Sequence, residues 1–422
     1  MKFKALKGVQ DILPGEIDKW EYLEDCAKEQ FSLYGFNQIK IPVIEETGLF
    51  VRSIGQQTDI VEKEMYSFVD RGKREISLRP EATASVVRAY LEHNLTQLGV
   101  AKLYYIGPMF RGEKPQSGRN RQFYQMGIEA LGSYDPYFDA EVITLAVEYL
   151  TEIGIKNFDL VLNTVGCSHD KAAYAKLLKT YLKTEEKSLC ENCQNRLERN
   201  VLRVLDCKNP NCKKVIHSAP IINDHLCSEC NDHFKSVKQY LDLSGIAYNL
   251  SPYLVRGLDY YTKTVFEITH QGLGSQNAIC AGGRYDNLIK DMGGLAQGAT
   301  GFAFGIERLL LAASAEEIVF PIQKKTVIYA IGLGEDNCKE LFKIVAVLRR
   351  KKNCVINGFE QKSLKAHMKQ SHKLGSDITL ILGEEEFKDN CILIRDMQSG
   401  EQEKVKLNEV VAILEKKIKN KV

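Results

Sequence analysis

The 422-residue chain has almost no net charge, since 57 Lys and Arg against 55 Asp and Glu leave a formal +2. A field that weak cannot draw in a polyanion from a distance, so any nucleic-acid contact must rest on local clusters of cations. Long uncharged apolar runs are missing as well. The longest, near Gly301–Ala315, is interrupted by Glu307 and Arg308, so no membrane span is expected. The first residues, Met1–Glu16, lack the apolar segment of an export signal, and no signal peptide is expected. Without one, the 12 cysteines are expected as reduced thiols in the cytoplasm. Internal repeats and low-complexity tracts are lacking too. What remains is an ordinary globular composition, 44% hydrophobic and 27% charged, at a length that suits two or three domains.

The most informative stretch is Leu103–Gly132. It reads as a strand (Leu103–Phe110), a loop punctuated by Gly, Pro and Ser, and a second strand (Arg121–Ala130). Arg111, Lys114, Arg119 and Arg121 crowd the mouth of this hairpin. Arginine suits phosphate because its planar fork donates two parallel hydrogen bonds. Phe123 adds a face on which a base can stack. The second strand alternates Gln125, Gly127 and Glu129 along one face, polar where a core sheet should be apolar. A ligand-lining sheet is the expectation.

Arg111-Gly112-Glu113 followed by Arg121–Gln125 resembles motif 2 of the class II aminoacyl-tRNA synthetases, in its histidyl form. Upstream, a helix over Asp18–Leu33 with Trp20, Leu23, Ala27 and Phe31 on one face precedes a strand over Phe36–Ile44 containing Pro42. That unit resembles motif 1, which implies a homodimer interface. Strands Met65–Val69 and Glu75–Leu78 form a hairpin, and Arg79–Thr83 opens a helix. An acidic residue there caps a helix in any protein; by resemblance, Glu81, Ala82 and Thr83 belong to a substrate loop that binds the α-ammonium. Leu254–Thr262 resembles a histidyl-specific motif with a catalytic Arg256 and two tyrosines, Tyr260 and Tyr261. Cys280–Asp286 resembles the same family, and its glycines Gly282 and Gly283 would let backbone approach a ligand. Gly301–Leu309, a strand running into a helix that carries Arg308, resembles motif 3.

Residues 166–245 differ in character, being rich in Lys, Glu and Cys with a helical period. They read as an insertion within a catalytic domain of residues 1–325, and the family carries a helical insertion here that contacts the acceptor arm of tRNA. Cys190-x2-Cys193, Cys207-x4-Cys212 and Cys227-x2-Cys230 have spacings that suit a structural Zn²⁺. Cys190, Cys193, Cys227 and Cys230 form the expected ligand set; metal-free remnants are the alternative. His217, His225 and His233 read as surface residues. After a linker over Glu316–Lys325, strands and helices alternate with short connections through residues 326–422. That argues an α/β domain with a mostly parallel sheet, and it resembles the anticodon-binding domain of class II synthetases. The fold class is therefore α/β: an α+β catalytic domain on an antiparallel class II sheet, the helical insertion, and a C-terminal α/β domain.

The resemblance implies a reaction in two steps, formation of histidyl-adenylate from L-histidine and ATP and transfer of histidine to the 3′ end of histidine tRNA. By residue, it implies that Arg111 holds the α-phosphate and the histidine carboxylate. Arg256 stabilises the phosphorus from the other side, and Arg308 takes the γ-phosphate. Glu113 and Phe123 complete an ATP site, with Mg²⁺ on the β- and γ-phosphates. Neutral imidazole has one donor and one acceptor nitrogen, which Glu129 and Tyr261 would match. Glu81, Thr83 and Gln125 would take the ammonium, with Tyr260 lining the pocket. Lys114 and Gln116 would touch the tRNA acceptor end. No segment is left over for an editing domain. The rival reading is a catalytically inactive, synthetase-like regulatory subunit of histidine biosynthesis, and the presence of Arg111, Arg256, Arg308 and a C-terminal domain speaks against it.

Overall fold

Alternating side chains over Ala101–Phe110 and Gln122–Leu131 make two ten-residue strands, paired antiparallel from Ala101 opposite Leu131 to Phe110 opposite Gln122. The computed structural model describes residues 3–274, 277–322, 324–360 and 362–419. Met1, Lys2 and Gln323, the last within the expected linker, lie outside them. The chain divides into two compact units, Met1–Phe320 and Pro321–Val422.

In the first unit the hairpin lies within an eight-stranded sheet, in the order Asn37–Gln38, Ala101–Phe110, Gln122–Leu131, Ala299–Gly305, Ala278–Arg284, Thr262–His270, Phe158–Thr164, Asn249–Leu250. Only the two short edge strands pair in parallel. Helix Ile17–Leu33 buries Trp20, Leu23, Ala27 and Phe31, the three-to-four spacing that puts one stripe of a helix against a core. Phe31 meets Tyr104 edge-on at 5.5 Å and Phe302 at 6.1 Å. Helices Pro136–Glu152 and Ile306–Ala315 pack beside it.

The expected strand over Phe36–Ile44 is broken. Only Asn37–Gln38 joins the large sheet, and Ile44–Glu46 belongs to a separate three-stranded sheet with Glu75–Leu78 and Ser67–Val69. Between them the Arg79 guanidinium donates to the carbonyls of Ile41 (2.8 Å) and Pro42 (3.2 Å). Those carbonyls are therefore taken by a side chain rather than by a ladder, and Pro42 has no N–H to offer one.

Gly166–Gly245 is helical as expected, with helices Ser168–Thr184, Glu191–Arg199, Pro210–His217 and Ser228–Leu243. His233 is a correction. It is buried, with Nε2 2.7 Å from Asp139 Oδ2, because helix Ser228–Leu243 packs on Pro136–Glu152. Asp139 also holds Arg284 at 2.7 Å. Its carboxyl lies well below the usual range: burial opposes the charge, and Arg284 and His233 together overcome that.

The second unit has a five-stranded sheet in the order Cys354–Gly358, Val327–Gly332, Ile378–Leu382, Cys391–Asp396, Gln402–Lys406. The first three strands run parallel and the last two antiparallel, so the sheet is mixed where a mostly parallel one was expected. The short helix Glu384–Lys388 and a turn are the only connections after Ile378–Leu382, too short for the crossover that parallel strands need. Helix Leu364–Lys373 begins where expected, with Ser363 Oγ accepting from the Ala366 amide at 3.3 Å.

Candidate active site

The large sheet and the elements at its rim enclose a cavity of about 930 Å³, within the range that holds small-molecule ligands. One end is acidic and aromatic. Glu81 sits just before helix Thr83–Glu92, and its carboxylate accepts from the amides of Thr83 (2.7 Å) and Ala84 (2.9 Å). It is therefore a cap, and it reaches the cavity as well. Thr83 Oγ1 donates to Glu129 Oε1 at 2.7 Å, and the Tyr285 hydroxyl donates to Oε2. Glu129 is 1% exposed. Burial pushes its carboxyl up to about 8, with nearby Glu81 adding to the rise and the two hydroxyls opposing it. Gly301 is what admits this carboxylate, because a Cβ there would overlap Glu129 Oε2 and the Ile128 carbonyl. Tyr260 and Tyr261 stack at a tilt with ring centroids 4.8 Å apart. Burial raises the Tyr261 hydroxyl to about 12 although Arg256 works against it.

The other end is cationic. Arg111 leaves the end of the hairpin with Nε on the Pro80 carbonyl (3.0 Å) and its guanidinium 5.2 Å from the centre of the Phe123 ring. Arg256, in the loop before strand Thr262–His270, pairs with Glu267 on that strand. Burial disfavours the charge on Arg256, and Glu267, together with smaller contributions from Tyr261, Asp206 and Cys280, more than restores it. Arg308, in the first turn of Ile306–Ala315, donates to the carbonyls of Gly118 (3.2 Å) and Ala278 (2.6 Å). Glu113 pairs with Arg119 at 2.7 Å. Gln125 Oε1 and Arg256 Nε are buried with no hydrogen-bond partner among the described residues, leaving an acceptor and a donor in the cavity wall for a ligand. Three guanidinium groups from separate elements can hold a polyphosphate, with Phe123 as a plate for a base. The far end matches donors and acceptors to a small polar ring.

The structure thus brings Glu81, Thr83, Arg111, Glu113, Phe123, Gln125, Glu129, Arg256, Tyr260, Tyr261 and Arg308 to one cavity. Ala82 is fully buried in the core beside it. Lys114 and Gln116 stand outside on an exposed turn, which Gln116 and Arg119 close with paired backbone bonds of 3.1 and 2.9 Å. Gly282 and Gly283 do not open onto a ligand. A Cβ on either would strike neighbouring strands at Gly301 and Phe266 or at Thr264 and Val265, so strand packing requires both. Sequence reasoning missed Tyr285, Glu267 and Glu64 as wall residues, whereas Arg119, one of the cations expected at the hairpin mouth, does line the cavity. Glu267 left a signal, being an acid amid the apolar run Val265, Phe266 and Ile268.

The four cysteines expected to share a zinc ion fall into two groups. Cys190 and Cys193 join Cys207 and Cys212, while Cys227 and Cys230 join Cys167 and Asp170. The reason is helix packing, since Asp170 in the first turn of Ser168–Thr184 accepts from the Cys227 amide at 3.2 Å and draws the second pair away. No helix among the described residues is long and apolar enough to cross a membrane.

Two family models match the chain: histidyl-tRNA synthetase over residues 8–309 and an anticodon binding domain over residues 318–417. The histidine–tRNA ligase of Desulforamulus reducens is 48% identical over 409 residues, covering 97% of this chain and 98% of that one. That of Halothermothrix orenii is 45% identical over 417 residues, covering 99% and 100%. The apo histidyl-tRNA synthetase of S. aureus superposes with a TM-score of 0.82 at 35% identity, covering 97% of this chain and 99% of that one.

Proposed function

This chain belongs to the histidyl-tRNA synthetase family, and from that premise we propose how its residues carry out the reaction of a class II aminoacyl-tRNA synthetase. Histidine and ATP give histidyl-adenylate and pyrophosphate, and the histidyl group then passes to the 3′ end of histidine tRNA. Neither step needs a nucleophile from the protein; positioning and charge neutralisation suffice. The single observation that carries this assignment is the meeting of Arg111, Arg256 and Arg308 around one cavity whose other end holds Glu129.

In this reading Arg111 holds the α-phosphate together with the histidine carboxylate while adenine stacks on Phe123. Arg256 stabilises the opposite side of the phosphorus, its charge maintained by Glu267. Arg308 takes the γ-phosphate. Gln125 Oε1, buried without a partner among the described residues, accepts from the α-ammonium alongside Glu81 and Thr83. Glu129 and Tyr261 read the ring nitrogens, with Tyr260 beside them. A ligand without those nitrogens leaves buried groups unpaired, which gives roughly 10⁴-fold discrimination without editing. Glu113 and Glu64 are near neighbours in the wall, and such hard oxygen donors fit Mg²⁺. The ion would shield the β- and γ-phosphates of ATP.

Lys114 and Gln116, exposed beyond the cavity, would meet the tRNA acceptor end, and the unit from Pro321 onward would meet the anticodon. Binding should weaken with salt as phosphate contacts release counterions. A homodimer through the segment around Pro42 and a cytoplasmic location complete the proposal; free thiols at every cysteine support the latter.

The deciding experiment is ATP–pyrophosphate exchange without tRNA, run with histidine and with each other amino acid. Exchange with histidine alone is the expected result. A folded protein that binds histidine but exchanges with nothing would instead be a catalytically inactive regulatory relative.

A further inference from the structure

The helical insertion carries a side-chain cluster that the reaction does not use. The sulfurs of Cys190, Cys193, Cys207 and Cys212 all lie within 4.8 Å of one another, and Cys190 Sγ stands 3.8 Å from Cys207 Sγ. A tetrahedron of thiolates around a metal at about 2.3 Å has edges of about 3.8 Å. A disulfide would need about 2.05 Å, and all four cysteines are free.

The backbone around these sulfurs is arranged to favour thiolates. The Cys190 amide donates to Cys212 Sγ at 3.2 Å, and the Asn209 amide donates to Cys207 Sγ at 3.5 Å. Cys190 precedes helix Glu191–Arg199 and Cys193 lies in its first turn; Cys212 lies in the first turn of Pro210–His217. Both helices thus point their positive ends at the cluster, which stabilises negative sulfur. Cys193 and Cys212 are buried, and Cys190 and Cys207 are half-buried.

We propose that Cys190, Cys193, Cys207 and Cys212 bind one structural Zn²⁺, which folds the insertion and holds it against the active-site cavity. Four soft thiolates in a tetrahedral cage select zinc among abundant divalent ions, and each thiol releases its proton to water as it ligates. The segment between the two cysteine pairs reaches the catalytic unit. Arg203 Nη1 donates to the Gly257 carbonyl at 2.9 Å, and Asn200 Nδ2 donates to Asp259 Oδ1 at 2.8 Å. Both contacts fall on the residues that follow Arg256 in its loop, so the metal positions that loop from outside the reaction. The second group, Cys167, Asp170, Cys227 and Cys230, is explained without a metal. Asp170 accepts from the amides of Cys167 (3.4 Å) and Cys227 (3.2 Å) and ties together two helix starts.

The test is the metal content of the purified full-length protein together with cobalt substitution. The expected result is about one zinc per chain, and visible d–d bands from tetrahedral thiolate coordination when Co²⁺ replaces it. Cys207→Ser should cut bound zinc about fivefold or more and remove the bands, while Cys227→Ser should leave both. If Cys207→Ser does not fold, a mercurial titration of the native chain decides, with release of about one zinc as its thiols are blocked as the expected outcome. Folded native protein without zinc and without cobalt bands overturns the proposal. So does iron in place of zinc, or metal that survives Cys207→Ser and is lost in Cys227→Ser.

Discussion

Thr83 Oγ1 donates to Glu129 Oε1 at 2.7 Å, joining the first residue of a helix to the C-terminal part of the strand that forms the cavity wall. With Tyr285 on the other oxygen, the carboxylate is aimed before any ligand arrives. Such aiming is worth more inside a dry site than in water.

Glu129→Ala is expected to lower kcat/KM for histidine in ATP–pyrophosphate exchange by up to roughly 10⁴-fold, because the ring N–H loses its acceptor. Near-normal exchange by the variant would remove Glu129 from the recognition of histidine.

The same residue predicts a pH dependence of stability. Its carboxyl titrates near 8 when folded, against an ordinary 4.5. The folded chain therefore keeps a proton that the unfolded chain has released, and stability falls as pH rises from the ordinary value through about 8. The full difference is a few kcal/mol at most. In Glu129→Gln this decline should be shallower. The single tryptophan, Trp20, packed against Tyr124 at 5.2 Å, supplies the fluorescence signal for urea unfolding at pH 5 and pH 8.5. Equal slopes in both proteins would show that Glu129 ionises normally.

Arg256→Ala should reduce kcat for histidine activation by about 10²–10³-fold, with ATP binding changed far less. Glu267→Gln should do less harm, since it removes only the charge that supports Arg256. Pre-steady-state adenylate formation separates the two, and equal losses would mean that the ion pair matters only for folding.

Gly301→Ala is expected to destabilise the first unit by roughly 1–3 kcal/mol, because the added methyl overlaps Glu129 Oε2 and the Ile128 carbonyl. Histidine activation should fall with it while ATP affinity holds. A variant with unchanged melting temperature and unchanged KM for histidine would refute the fit.

Arg284 is fully buried between Asp139 (2.7 Å) and Asp286 (2.9 Å). Arg284→Met strands both carboxylates and should cost about 3–5 kcal/mol, seen as a lower urea midpoint by Trp20 fluorescence. An unshifted midpoint would mean that the two acids take up protons at little cost.

The sequence by itself determined most of the elements and the chemical character of the site. Period-two alternation marked both strands of the hairpin, the helical stripe of Trp20, Leu23, Ala27 and Phe31 marked its helix, and the polar residues Gln125 and Glu129 marked a wall facing a ligand. These are local patterns, fixed by which side of a strand or helix a residue occupies. Tertiary structure alone decided the partnerships. Tyr285 lies far along the chain from Glu129, and the two meet only because strands Gln122–Leu131 and Ala278–Arg284 both pair with Ala299–Gly305. His233 is buried because one helix packs on another, and Pro42 breaks a strand because Arg79 takes the neighbouring carbonyls. The cysteines show the division most plainly. Spacing pointed to metal chemistry, but spacing cannot say which pairs meet, since that depends on where the packing of four helices carries each sulfur.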